Sequence, residues 1–598
     1  MSSLEYSAIA EVYEKLGKTT KRLEMTDILV AFLKECPPQL VEKVVYLTQG
    51  RIYPEFVPIE LGMADRLIIR GIAKASGAKE SEVERLYKKV GDLGNVANEL
   101  LSKGSRQITL DQYHQKRKGE GVTVERVFSS LDSIAHATGS GSQDEKLRLL
   151  SDLFSDATPR EAMYIARTVS GALRVGIADM TILDALAIAF GGSKDSRASV
   201  ERAYNVSSDL GAVAKALVEG GIDAISGFRP HPGRPIRPML AERLSSAEEI
   251  LEKMGGKCAA EYKYDGERVQ IHRGEGGTIE LFSRRLESVT NHFPDIVRLA
   301  TEGVSAGSFI IEGEIVAVNP ETGDLLPFQQ LMHRRRKYGV EEAMANYPAS
   351  IRLFDLLFLE NKDYTEKPYP ERRKALKKVA GESERLRLAE QRVIKDVAQL
   401  ESFFEEAIAE GCEGLVAKSL GPDSSYKAGA RGWLWIKYKR EYRSEMMDTV
   451  DLVAVGGFMG TGKRAGSIGT LLLAAYDEGD DTFKTVCRCS TGFTDAEIAG
   501  MRAGFSQFTV PKRHGRVDSK IKADVWFVPA RVLEVLGAEI TLSPIHTCGM
   551  DTVRKGAGLA IRFPRFTGKW RPDKAPEDAT TAGEILDMYR GQLKKISE

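Results

Sequence analysis

Long apolar runs, paired cysteines, clustered histidines and any excess of charge are all missing from this sequence. Across 598 residues no apolar stretch approaches the roughly 18 residues that would suggest a membrane span. The opening MSSLEYSAIAEVYEKL has neither the basic start nor the apolar core of a secretion signal, so an intracellular protein is expected. Six cysteines (Cys36, Cys258, Cys412, Cys487, Cys489 and Cys548) lie scattered without a CxxC pair. That spacing argues against a disulfide framework and against a structural zinc site. The eight histidines show no metal-ligand spacing, and His272 and His546 read as structural. Lysine plus arginine and aspartate plus glutamate both total 85, for a net charge of zero. Zero net charge excludes holding nucleic acid by bulk positive charge but not by a locally basic cleft.

What is present is ordinary globular material, 42% hydrophobic and 28% charged, at a length that predicts three or four domains. Residues 1–226 read as all-helical. In LEMTDILVAFLKECPP, Thr26 is placed to cap a helix whose apolar positions Ile28, Leu29, Phe32 and Leu33 recur at helical spacing, until Pro37-Pro38 stops it. The same pattern returns from Thr158 to Gly192, with breaks near Gly171 and Gly176. Over 227–240 (GFRPHPGRPIRPML) four prolines favour an extended linker. From 241 to 443, strand-like CAAEYKYDG, VQIHR, TIELFSR, SFIIEGEIVAV, SIRLFDLLFLE, GLVAKS and WLWIKYK alternate with helical Glu371–Val379 and Asp396–Glu410. An α+β domain on antiparallel sheet is expected. From 444 to 598, alternating runs between glycine turns suit a small β-barrel, with an OB-type barrel one option. The glycine-rich GTGKRAG (Gly460–Gly466) lacks the full phosphate-loop spacing and reads as a barrel loop.

The chemistry gathers in 241–443. Alternation on a strand turns Glu261, Lys263 and Asp265 of EYKYDGER to one face. Alone, such a set is as well explained by a surface ion pair. However, Ser283-Arg284-Arg285 ends the next strand but one, and Glu312-Gly313-Glu314 puts two carboxylates into an apolar strand, where charge is costly unless paired or on a metal. Phe354-Asp355 ends a further strand, Glu413-Gly414 opens GLVAKS, and Lys437 and Lys439 share a strand face.

This ordered set (KYDG, SRR, EGE, FD, EG, KYK) resembles the nucleotidyltransferase motifs of ATP-dependent DNA ligases, capping enzymes and RNA ligases. The segments PGRPIRPMLAE, LRVGIADMTILDALA and RFPRFTGKWRPDKAPEDATT are similar to those of archaeal and eukaryotic replicative DNA ligases, and the resemblance spans essentially the whole chain. It implies a helical DNA-binding domain, an adenylation domain and a C-terminal OB-fold. The activity implied is sealing of nicked duplex DNA in replication, repair and recombination. Capping enzymes and RNA ligases, and a non-catalytic DNA clamp of the same fold, are the competing assignments. The helical domain and RFPRF oppose the former, and an intact Lys263, Glu314, Glu413 and Lys437 oppose the latter.

By the same resemblance, Lys263 attacks the α-phosphate of ATP and Asp265 orients its amine. Glu261 accepts from the adenine amino group, Phe354 stacks on the base, and Arg268, Arg284 and Arg431 hold ribose or phosphate oxygens. Glu314 holds the ribose or a metal, and Glu413 is the Mg²⁺ carboxylate, with Mn²⁺ an alternative ion. Lys437 and Lys439 neutralise the α-phosphate, and Arg571 and Lys574 of the last motif face the pyrophosphate, with a hinge expected near Arg440–Asp448. The implied partners are nicked double-stranded DNA, bound without sequence preference, and a sliding clamp. A monomer in the cytoplasm or nucleoid, with no membrane association, is expected. Local charge fits this: residues 431–443 and 562–574 each carry an excess of four positive charges, and Arg334–Lys337 form a third basic block.

Overall fold

Helix follows helix from Tyr6–Gly17 to Leu210–Ser226 in the computed structural model of the chain, with no strand among the described residues of that stretch. The residues described are 3–104, 121–318, 325–326, 328–335, 339–439, 449–460, 466–537, 539–562 and 564–594. Capping explains several boundaries. Thr158 accepts from the Glu161 N–H at 3.3 Å while the Glu161 carboxylate accepts from the Thr158 N–H at 2.8 Å, and Pro159 takes the first helical position. The helix containing Thr26 begins earlier than the sequence suggests, spanning Arg22–Glu35. Arg22, Leu23, Glu24 and Met25 are all good helix formers, so the turn before Thr26 is itself helical. Thr26 then donates its hydroxyl to the Arg22 carbonyl at 3.0 Å instead of capping.

The proline-rich segment is not the loose extended tether expected: it turns tightly at His231–Arg234, where the Arg234 N–H donates to the His231 carbonyl at 3.0 Å. Ile236 exchanges two hydrogen bonds with the Gln270 amide, at 2.9 and 2.6 Å. The Gly233 N–H donates to His272 Nδ1 at 3.1 Å, and Ile236 and Met239 are fully buried.

The principal strands that follow are β1 (Leu240–Arg243), β2 (Cys258–Lys263), β3 (Glu267–Arg273), β4 (Ile279–Ser283), β5 (Phe309–Val318), β6 (Ala349–Leu359), β7 (Gln391–Ile394), β8 (Gly414–Ser419) and β9 (Arg431–Lys439). One sheet runs β1-β9-β8-β2-β7, antiparallel except for β1 against β9. The other contains β4-β3-β5-β6, all antiparallel. Ala260, Leu415 and Ile436 of the first sheet share a core with Ile310, Val316 and Leu357 of the second. The second sheet's far face packs Ile271, Ile311 and Leu353 against Ile296 and Leu376, which lie on helices Pro294–Gly303 and Tyr369–Val379. Phe354-Asp355 does not end its strand; β6 continues to Leu359. Glu312 stands opposite Asp355 and Gly313 opposite Leu353, so Phe354 is the extra residue of a bulge. The bulge turns Phe354 into the core shared by the two sheets.

The C-terminal region is built on β10 (Val450–Met459), β11 (Ile468–Asp477), β12 (Thr482–Cys489), β13 (Val532–Leu536) and β14 (Arg565–Trp570). Strand β10 pairs with β11 and β13, β11 with β12, and β13 with β14. A parallel bridge from Thr491 to Arg565 closes the ring into a five-stranded OB-type barrel around Leu452, Leu473, Val486 and Leu533. The chain divides into two compact units, 1–83 with 93–440 and 84–92 with 441–598. No helix among the described residues is long and apolar enough to cross a membrane.

Candidate active site

Strand register assembles the site. Lys263 ends β2, and Gly414 at the start of β8 stands opposite both Lys263 and Lys439 of β9. The Glu413 N–H donates to the Lys263 carbonyl at 2.8 Å. The Glu413 carboxylate therefore lies between two ammonium groups, 2.5 Å from Lys263 Nζ and 2.7 Å from Lys439 Nζ. Burial works to raise its pKa, but the two lysines outweigh burial and hold Glu413 below the ordinary glutamate value. Only glycine allows this approach, because a Cβ on Gly414 would lie 2.2 Å from the Tyr438 carbonyl oxygen.

Across the cleft, Glu314 of β5 faces Arg268 of β3 in register. Burial pushes Glu314 up to about 7 against the pull of Lys263 and Arg268, and the nearby carboxylates Glu413 and Asp265 add to the rise. Asp265 is also raised, chiefly by burial, while its Oδ2 accepts from the Phe328 N–H at 3.0 Å. Lys263 makes its ion pair with Glu413, not with Asp265. Lys437 is lowered, first by burial and then by Lys439, Arg431, Lys263 and Arg284, which places these five cations within electrostatic reach of one another. Arg284 and Arg431 are exposed, and neither they nor Lys437 has a carboxylate partner among the described residues.

Other residues singled out in the sequence sit in filled positions. The Arg268 guanidinium binds Glu312 through Nη2 at 2.9 Å to each carboxylate oxygen, and its Nη1 donates to the Met239 carbonyl at 2.8 Å. Its guanidinium lies 5.5 Å from the centre of the Phe354 ring. Glu261 is only 2% exposed and is held by Tyr369, Gln391 and Lys418. Lys418 went unnoticed in the sequence; a lysine inside the otherwise apolar GLVAKS is the signal that marks it. The two described residues of the Arg334–Lys337 block, Arg334 and Arg335, do not form the free basic face expected. Arg334 is fully buried on Asp295 at 2.5 Å, because burying a guanidinium demands a carboxylate, and the partly exposed Arg335 pairs with Glu267. Arg336 and Lys337 lie outside the described residues, as do 440–448 and 461–465. Arg571 and Lys574 belong to the second unit, where both pair with Asp451, at 2.8 and 2.7 Å. His272 and His546 are buried and pushed down to about 3 and about 4 by burial, so both are neutral structural groups.

Family models described as DNA ligase N terminus, ATP dependent DNA ligase domain and ATP dependent DNA ligase C terminal region match residues 5–187, 238–439 and 464–574. DNA ligase 2 of Thermofilum pendens is 54% identical over 592 residues, covering 99% of this chain and 98% of the relative. The DNA ligase of Aeropyrum pernix is 49% identical over 600 residues, covering 100% and 99%. The solved structure of Pmar-Lig_PreS3 shares the fold at a TM-score of 0.53 and 17% identity, over 94% of this chain and 99% of that one. The chain belongs to the ATP-dependent DNA ligase family.

Proposed function

We propose that the chain seals 5′-phosphate/3′-hydroxyl nicks in duplex DNA through a covalent Lys263–AMP intermediate. The observation that carries this is the convergence of Lys263, Glu413, Lys437 and Lys439 through the register of β2, β8 and β9. In the first step Lys263 Nζ, freed from Glu413 and deprotonated, attacks the α-phosphorus of ATP. A P–N bond forms and pyrophosphate leaves with the electrons of the broken P–O bond. Lys437 and Lys439 neutralise charge building on the α-phosphate, and Arg284 and Arg431 hold ribose or phosphate oxygens. Glu261 and Phe354 take the adenine, and Arg268 supports the ribose side through Glu312. Arg571 and Lys574 take the departing pyrophosphate.

In the second step an oxygen of the 5′-phosphate displaces Lys263 from the adenylate, and the amine regains its proton. In the third the 3′-hydroxyl attacks that 5′-phosphorus, loses its proton and expels AMP. The all-oxygen donors Glu413 and Glu314, beside Asp265, fit Mg²⁺, which binds through one or two carboxylates with substrate phosphates completing its shell. When bound, the ion supplies Lewis-acid neutralisation of the phosphates. The chain acts as a monomer on nicked duplex, with a sliding clamp as its protein partner.

Intact-mass measurement after incubation with ATP and Mg²⁺ tests the assignment. Wild type should gain one AMP and lose it when nicked DNA is added, and Lys263→Ala should gain none. Wild type purified free of AMP and still unlabelled would overturn it.

A further inference from the structure

Lys418 plays no part in the steps above, yet it is a buried lysine, 1% exposed, that bridges Glu261 and Phe354. Its Nζ lies 2.6 Å from Glu261 Oε2 and 3.3 Å from the Phe354 carbonyl oxygen. The ring centres of Trp435, Tyr369 and Phe354 surround it at 4.4, 4.7 and 4.8 Å. The other oxygen of Glu261 is equally engaged. Oε1 accepts from the Tyr369 hydroxyl and from Gln391 Nε2, the latter at 3.0 Å. Arg373, at 3.7 Å, is too distant to add a hydrogen bond.

An ionised carboxylate offers about four acceptor positions. Tyr369 and Gln391 fill the two on Oε1, and Lys418 fills one on Oε2. One remains. We infer that Lys418, Tyr369 and Gln391 are specificity-determining positioning residues, which lock Glu261 as a fixed acceptor with a single open lone pair for an N–H of the adenine amino group. A purine with a carbonyl oxygen at that position brings acceptor against acceptor in a desolvated place, which a buried polar site rejects strongly. Loosening the lock lets Glu261 turn its oxygens away from that carbonyl, which relieves the clash of acceptors. The inference rests on the assignment of Glu261 to the adenine.

The test compares formation of the Lys263–nucleotide adduct from ATP and from ITP, whose base carries a carbonyl oxygen in place of the amine, by time-resolved intact mass on the full chain. Wild type should prefer ATP by at least ~100-fold. Tyr369→Phe and Gln391→Leu each remove one donor without stranding a charge, and each should lower the ATP:ITP ratio by roughly fivefold to tenfold. The double variant Lys418→Met with Glu261→Gln removes the buried charge pair together, which protects folding. Its glutamine amide can donate to the carbonyl, and its ratio should fall below ~10. If the double variant loses discrimination while Tyr369→Phe and Gln391→Leu keep the wild-type ratio, the lock is overturned and the assignment of Glu261 stands. If the double variant also keeps the wild-type ratio, the assignment of Glu261 itself is overturned.

Discussion

Glu413 and Glu314 are chemically identical carboxyls that their neighbours push in opposite directions. Two lysines hold Glu413 below the usual value, and burial pushes Glu314 up to about 7. Nothing in the letters EG or EGE announces that difference, since it depends on which cations the sheets bring close. The same holds for Glu312 and Glu314, two residues apart, of which Glu312 is fully buried on Arg268. His272 allows a stability prediction at this scale. Its Nδ1 accepts from the proline-rich segment, and burial pushes it down to about 3, so the folded protein keeps it neutral. Its stabilising contribution is complete above the unfolded pKa of about 6.5 and is lost as pH falls from there toward 3. At pH 5 the loss should be about 2 kcal/mol. Thermal melts at pH 7 and pH 5 should show wild type losing that much more stability than His272→Gln; parallel losses in the two proteins would contradict it.

Among the elements, long strands such as β5 and β6 were readable because both their faces are buried, which makes them near-continuous apolar runs. The short β1 and β7 were not, since four residues such as LAER or QRVI carry too little alternation to show. The bulge at Phe354 was equally hidden: one extra residue in an apolar run looks like more strand. Gly414 is where element geometry and chemistry meet. Its replacement by alanine sets a Cβ against the Tyr438 carbonyl and pushes β8 away from β9, separating Glu413 from Lys439. Displacements of this size cost catalysis on the order of 100-fold. Gly414→Ala should therefore slow Lys263–AMP formation by about that factor, with the far-UV circular dichroism of wild type retained. Gly266 has the same role on the other sheet, where a Cβ would meet the Ile315 carbonyl at 2.2 Å.

For the whole molecule, pyrophosphate is present only in the first of the three steps. Residues that take it should matter there alone. Arg571→Ala should slow Lys263–AMP formation by roughly 100- to 1,000-fold, the usual effect of removing one charge-stabilising donor. Sealing of a nick that already carries a 5′-adenylate should change by less than about threefold, since chemistry at that stage contains no pyrophosphate. Single-turnover assays on the two substrates separate these outcomes, and an equal fall in both would remove Arg571 from its proposed role. The zero net charge of the chain is no obstacle to DNA binding, because a duplex responds to local excess within about a Debye length.

The sequence alone determined the three-part architecture, because helical and strand periods and proline-rich breaks are local properties of the chain, and the resemblance of its spaced motifs singled out Lys263 as the candidate nucleophile. The same resemblance grouped Arg284, Arg431, Lys437 and Lys439 as candidates for one chemistry. Tertiary structure alone decided which carboxylate holds Lys263, that Arg334 is buried scaffold, and that Lys418 is locked onto Glu261. Those outcomes depend on pairing between strands and helices far apart in sequence. The free energy of a charge is set by what surrounds it after folding, not by the residues beside it in the chain.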